Sequence, residues 1–184
     1  MRYNNQWLKE GYSAGKPLSF LFFWGHKPSK DGSITKSCFS QWWMSPFEKN
    51  GITYPTAEHW MMAGKAKLFN DTDIEAKILA EENPDQVKKL GRLIKGFDAA
   101  LWDENKFEIV CNGNQLKFSQ HPSLQTFLLS TSDKILVEAS PVDAVWGIGM
   151  SADHADIENP LKWNGENLLG YALMEVRDQL KNTK

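Results

Sequence analysis

The period of apolar and polar positions changes near residue 56. Before it, 19–24 is a compact aromatic run containing Phe20, Leu21, Phe22, Phe23 and Trp24, while 27–36 holds Pro28, Asp31-Gly32 and Ser33. Short apolar runs bounded by turn residues predict strands, and Asn50-Gly51 between Phe47 and Ile52 is the pair a two-residue hairpin requires. The first third is therefore expected to be strands and turns. From Thr56 the punctuation becomes helical. Thr56 can cap a helix running to about Phe69, and Asn83-Pro84 places a cap and an N1 proline before a second. Asp98 opens a longer one through Trp102, Phe107 and Val110. A short helix over 122–129, a strand at Ile135-Leu136-Val137 and a closing amphipathic helix over 167–180 follow, the last with Leu169, Leu173, Val176 and Leu180 at helical spacing. The expected class is α+β: one compact, mostly helical domain over 1–184 with a small N-terminal sheet.

Composition narrows the function classes. At 184 residues the chain supports one ordinary core, and no repeat, low-complexity tract or flexible linker divides it. Its net charge of −2 removes whole-surface attraction to polyanions, so any phosphate must be gripped locally. The apolar run 18–24 is far below the roughly 20 residues that span a bilayer, and 1–10 lacks the apolar core of a secretory signal. Two cysteines, Cys38 and Cys111, make no disulfide framework, so a reducing cytoplasm is the expected compartment. Eight tryptophans exceed what a core this size usually requires, which suggests that some face a ligand.

The densest chemistry lies in 54–65. On a helix, Glu58 and Lys65 return to nearly the same side together with Met61, Met62 and Phe69. An acid and an amine on an apolar stripe lose solvation, which favours their neutral forms, while mutual attraction favours the charged pair. The plainer alternative gives Glu58 to the helix dipole and lets Lys65 snorkel outward. A second segment is Asp143-Ala144-Val145-Trp146-Gly147-Ile148-Gly149. Its glycines allow close backbone approach, with N–H groups turned toward phosphate or carbonyl oxygens, and Trp146 offers a stacking surface. The alternative is a turn with a core tryptophan and a capping aspartate. The segment lacks the third glycine and helix start of a dinucleotide site. Lys88, Arg92 and Lys95 fall at i, i+4 and i+7 of one helix, with Gly91 making room beside Arg92, as either a phosphate grip or a solvated face. Asp153, His154 and Asp156 match no structural zinc spacing, and neither a thiol nucleophile motif nor a Gly-x-Ser-x-Gly elbow occurs. Neither a metal nor a cofactor is expected.

Many ordered segments together carry a resemblance. They are Phe22-Phe23-Trp24-Gly25-His26; Cys38-Phe39-Ser40-Gln41-Trp42 with Ser45-Pro46-Phe47; Tyr54-Pro55-Thr56-Ala57-Glu58-His59; Lys65-Ala66-Lys67-Leu68-Phe69; and Leu90-Gly91-Arg92. Further on come Lys117-Phe118-Ser119-Gln120, Val137-Glu138-Ala139-Ser140-Pro141, Asp143 with Trp146-Gly147-Ile148-Gly149, and the run 164–170. Over most of its length the chain resembles the NADAR family. Many members read Ser-Asn-Phe where this chain has Ser40-Gln41-Trp42.

The resemblance implies a compact α+β fold and cleavage of an N-glycosidic bond. Two substrate classes are associated with the family: ADP-ribose on the amino group of guanine, free or in DNA or RNA, and phosphoribosyl-amine intermediates of early riboflavin synthesis. A non-catalytic module binding ADP-ribose or NAD is the alternative of a different class. An amine leaves poorly unless protonated, and the ribose carbon becomes cation-like as it departs. Glu58, Lys65 and Asp143 are the expected catalytic residues, by either of two routes: in one Glu58 gives the proton and Asp143 steadies the cation or positions the water; in the other the ring opens and Lys65 attacks C1 as a neutral amine, which requires a depressed lysine value that a close ionised Glu58 would oppose. Trp24, Trp42, Trp102 and Trp146 are the candidate stacking surfaces. Gly25, His26, Ser40 and Gln41 complete the substrate-binding set, with Arg92 and the backbone of Gly147 and Gly149 as phosphate partners.

Overall fold

The computed structural model of the chain describes residues 1–182. Its backbone gathers into two compact units, Met1–Ser40 with Ser123 onward, and Gln41–Pro122.

In the first unit, α1 (Asn5–Ser13) precedes β1 (Phe20–Phe23), and a 3₁₀ turn follows at Lys36–Phe39. The chain returns to it through α6 (Pro122–Ser130), β4 (Ile135–Glu138), a second 3₁₀ turn at Pro160–Lys162 and α7 (Leu168–Asn182). β1 and β4 pair in parallel, with Phe20 opposite Ile135 and Phe23 opposite Glu138. The expected N-terminal strands are thus split between two ladders, and the partner of the first lies about 115 residues along the chain. Ile135, Leu136 and Val137 are all buried, the continuous apolar pattern of a strand covered on both faces. α7 covers β4 closely: a Cβ on Gly170 would lie 2.1 Å from the Leu136 carbonyl oxygen. Asn167, just before the helix, donates to the same oxygen and accepts from the Glu138 N–H at 3.0 Å each.

α1 departs from the strand-and-turn reading of the first third. Asn4 caps it by accepting from the Trp7 N–H, and Leu8 is its buried apolar anchor. At nine residues it is too short to stand on propensity, and tertiary packing of Leu8 and the cap hold it.

In the second unit, β2 (Phe47–Lys49) and β3 (Ile52–Tyr54) form the expected hairpin, with Asn50 and Gly51 both at positive φ as a type I′ turn demands. α2 (Ala57–Leu68), α3 (Thr72–Ala80), α4 (Pro84–Gly91) and α5 (Ala99–Gln120) follow. Thr56, Asn83 and Asp98 cap their helices as the sequence predicts. α3 had no counterpart among the predicted elements; its N-cap is Asp71, accepting from the Ile74 N–H at 3.1 Å. α2 and α5 meet at small residues, since a Cβ on Gly113 would sit 2.4 Å from the Trp60 ring. The Trp60 indole donates across the same contact to the Ile109 carbonyl at 2.8 Å. That approach fixes the placement of α2, which carries both Glu58 and Lys65.

Candidate active site

In the second unit, α2 carries two of the three expected catalytic residues at opposite ends. Glu58 stands in the first turn and is only 3% exposed. Its N–H donates to the Gln41 carbonyl at 2.9 Å, satisfying one of the helix's orphan donors. The next residue, His59, is fully buried, with Nδ1 2.8 Å from the Thr56 hydroxyl and Nε2 2.9 Å from the Glu81 carbonyl. Thr56 Oγ1 also accepts from the His59 N–H. A ring with a carbonyl acceptor on Nε2 carries its proton there and takes the hydroxyl hydrogen on Nδ1, so the neutral imidazole is the form that fits. Burial pushes His59 below the ordinary histidine value, against the opposing pull of the Glu81 carbonyl and charge.

Lys65 lies two turns further on, about 10 Å along the axis. It is half-buried, and its ammonium donates to the Gly91 carbonyl at 3.0 Å. The Phe97 ring centre is 4.4 Å from Nζ and that of Trp102 is 5.5 Å away. Burial pushes the amine below the ordinary lysine value, with no carboxylate contributing. Both residues sit on one side of α2, as their spacing predicts, and the Lys65 ammonium is engaged by the last carbonyl of α4 and by two rings rather than by a carboxylate.

The basic triplet is also corrected. α4 ends at Gly91, with Arg92 as its C-cap, so Lys88, Arg92 and Lys95 do not share a helix. Lys88 Nζ lies 5.9 Å from the Trp42 ring centre, and Arg92 is exposed. Lys95 belongs to the loop, where its N–H donates to Asp71 at 2.9 Å. Gly91 makes room not for Arg92 but for Met62, whose sulfur would lie 2.1 Å from a Cβ there. Gln41 and Trp42 open this unit, the first buried and the second half-buried.

The remaining site candidates belong to the first unit. Trp24, 58% exposed, follows the carboxyl end of β1, with Gly25 at φ +79° and an exposed His26. Ser40 closes the first 3₁₀ turn as its C-cap and is half-buried. At the matching end of β4, the Ile148 N–H donates to the Glu138 carbonyl at 3.0 Å, and the Gly149 N–H to the Asp143 carbonyl at 3.1 Å. Those two groups turn inward, so the expected phosphate cradle from Gly147 to Gly149 is not formed by them. The loop folds back on the strand end, and Gly147 is required because a Cβ would lie 2.8 Å from the Glu138 carbonyl oxygen. Asp143 Oδ1 accepts from the N–H groups of Val145 at 3.0 Å and Trp146 at 2.8 Å, the capping role weighed as the plainer reading. Trp146 is half-buried.

None of Trp24, Trp42, Trp102 and Trp146 is fully buried. Asp153 accepts from Ser151, His154 Nδ1 from the Asp156 N–H, and Asp156 pairs with Lys162. Among the described residues no three His, Cys, Asp or Glu side chains stand together as a metal site. Among them too, no helix is long and apolar enough to cross a membrane. Sequence reasoning missed Phe97, the Gly91 carbonyl and the fully buried Asn114. Lone residues in a loop or mid-helix carry no periodic signal; only the polar Asn114 on a face with Val110 and Phe118 hinted at a partner.

Comparison with known proteins shows the family. The family model described as the NADAR domain matches residues 22–181. The chain is 42% identical over 165 residues to "N-glycosidase R617" of Acanthamoeba polyphaga mimivirus, covering 87% of this chain and 95% of that protein. It is 33% identical over 144 residues to "N-glycosidase YbiA" of Escherichia coli K12, covering 78% and 79%. The NMR structure of E. coli YbiA superposes with a TM-score of 0.71 at 28% identity, covering 90% of this chain and 86% of that one. A third relative is "Riboflavin biosynthesis protein PYRR, chloroplastic" of Zea mays, 32% identical over 145 residues; the match covers 74% of this chain but only 22% of that protein. With a matched span of this extent and relatives at this identity, the chain belongs to the NADAR domain family.

Proposed function

We propose that the protein is an N-glycosidase that hydrolyses the bond between ribose C1 and an exocyclic amine, releasing ADP-ribose from ADP-ribosylated guanine. Membership of a family that includes proteins named N-glycosidases supports the bond class. The observation that carries the mechanism is the state of Lys65: a half-buried amine, lowered by desolvation alone and held between a carbonyl and two rings. Such an amine is more often neutral, hence nucleophilic, than a solvated lysine.

The chemistry then balances in four steps. The C1–O4′ bond opens as the nitrogen lone pair forms a C1=N imine, and O4′ takes a proton. The neutral Lys65 amine adds to C1. The guanine amine leaves with a proton from Glu58, and a Lys65 imine remains. Water adds to that imine, returning the lysine and an aldehyde that closes to ribose. The tryptophans supply stacking surface for guanine or adenine, each stack contributing about 1–3 kcal/mol, and Arg92 supplies local positive charge for the pyrophosphate.

Incubation with ADP-ribosylated guanosine, followed by chromatography, should yield free ADP-ribose. Glu58→Gln should abolish release while sparing ADP-ribose affinity. Binding without product under any condition returns the protein to the non-catalytic module. Borohydride added during turnover should place one ribose-derived adduct on the peptide containing Lys65. If a parallel assay consumes only phosphoribosyl-amine intermediates, the substrate is the one the name of the Zea mays relative suggests, and the bond class stands.

A further inference from the structure

We infer that Asn114 is a positioning residue that sets the polarity of Gln41, so that the departing base meets N–H donors and a ring bearing a carbonyl, as guanine does, is selected. Asn114 lies on α5 and is fully buried, and Gln41 is 7% exposed. One Asn114 amide hydrogen goes to the Val110 carbonyl at 2.9 Å and the other to Gln41 Oε1 at 2.9 Å. Both donors of a primary amide are then spent on oxygens. Turning Asn114 over would set its oxygen against the Val110 and Gln41 oxygens, and turning Gln41 over would set its NH₂ against that of Asn114, so the arrangement has one orientation. Asn114 Oδ1 accepts no hydrogen bond among the described residues, so the two amides do not form a reciprocal pair. Gln41 Nε2 is therefore not consumed by Asn114. Whatever reaches Gln41 from its remaining side meets a donor.

The same residue is tied to the reaction. Its main-chain carbonyl takes the Glu58 N–H at 2.9 Å, and Trp42, the next residue, has a half-buried ring suited to stacking. One link thus runs from α5 through Gln41 to the start of α2, joining base recognition to the placement of the acid. Guanine O6 is an acceptor, whereas 2-aminopurine carries the same exocyclic amine without it. A site built to hydrogen-bond a substrate group discriminates strongly against an analogue that lacks it.

This inference rests on the guanine N-glycosidase reading, and the test separates the two. Conjugates of ADP-ribose with guanosine and with 2-aminopurine riboside are compared by kcat/KM, and the free nucleosides are titrated onto ¹⁵N-labelled protein. The Gln41 side-chain NH₂ signal is assigned by its loss in Gln41→Glu. Wild type should prefer the guanosine conjugate by about 10–100-fold, and the Gln41 NH₂ signal should move with guanosine but not with 2-aminopurine riboside. Gln41→Glu keeps an oxygen for Asn114 but offers acceptors outward, and should erase or reverse the preference. Asn114→Ser frees the Gln41 amide to turn and should lower the preference; if that variant does not fold, Gln41→Glu still decides. An unchanged preference in Gln41→Glu, or a Gln41 signal unmoved by guanosine, overturns the inference. Product release with no Gln41 dependence leaves the hydrolase reading intact, whereas a selective Gln41 response with no release from either conjugate does the opposite.

Discussion

Lys65→Met separates the chemistry of the amine from its structural part. The substitution keeps the length of the aliphatic stem and removes the ammonium that sits 3.0 Å from the Gly91 carbonyl and 4.4 Å from the Phe97 ring centre. A hydrogen bond from a charged donor contributes about 1.5–3 kcal/mol and a partly desolvated cation–π contact about 0.5–2 kcal/mol. Against these stands the cost of desolvating the ammonium, which the thioether does not bear. The opposed contributions leave a net change of about 1 kcal/mol, or a shift of roughly 2–4 °C in Tm. Turnover should fall far more, by at least about 10²-fold, because nothing else in the amine's place can add to C1. The assay is ADP-ribose release at saturating substrate beside a thermal melt of the same preparation. The pH profile adds a sign. Only the neutral amine attacks, so the wild-type rate should rise with pH through a lysine value lowered by burial, and Lys65→Met should lack that limb. Retention of more than a tenth of wild-type activity by a well-folded Lys65→Met would refute Lys65 as nucleophile.

Three further outcomes follow from the packing. Thr56→Ala removes the α2 cap and the hydroxyl on His59 Nδ1 together, and urea denaturation should show a loss of about 2–4 kcal/mol. His59 has a folded value below its unfolded one, so the unfolded chain binds the proton first as pH drops; stability should be complete above about pH 6.5 and decline below it. His59→Gln should flatten that slope between pH 7 and 5, measured by denaturation midpoint, and an unchanged slope would count against the buried neutral ring. Gly170→Ala drives a Cβ to 2.1 Å from the Leu136 main-chain oxygen, which no rotamer relieves. It should cost 3 kcal/mol or more, beyond the usual 1–3 kcal/mol of overpacking, and a melt within 2 °C of wild type would contradict the close approach of α7 to β4.

Much of the fold was legible because its signals are local. Thr56, Asn83 and Asp98 cap their own helices, and Asn50-Gly51 closes a hairpin of its immediate neighbours. Glu58 could be placed in a first helical turn, and Asp143 weighed as a turn former, for the same reason. α1 and α3 escaped because each is only nine residues long, held by a cap and a few buried side chains. The helical run from Lys88 to Lys95 failed because α4 stops at Gly91, where Met62 fills the space a side chain would need.

What the residues alone determined, then, was the class of fold, the family and the types of group available for breaking a sugar–nitrogen bond. Spacing along one helix put Glu58 and Lys65 on a common side but could not say what each faces. Tertiary structure decided that. Lys65 meets a carbonyl 26 positions further along the chain and two rings, Asn114 orients Gln41 from 73 positions away, and β1 finds its partner strand beyond residue 134. These are contacts between distant segments, set by which surfaces pack and exclude water, and no local pattern encodes them.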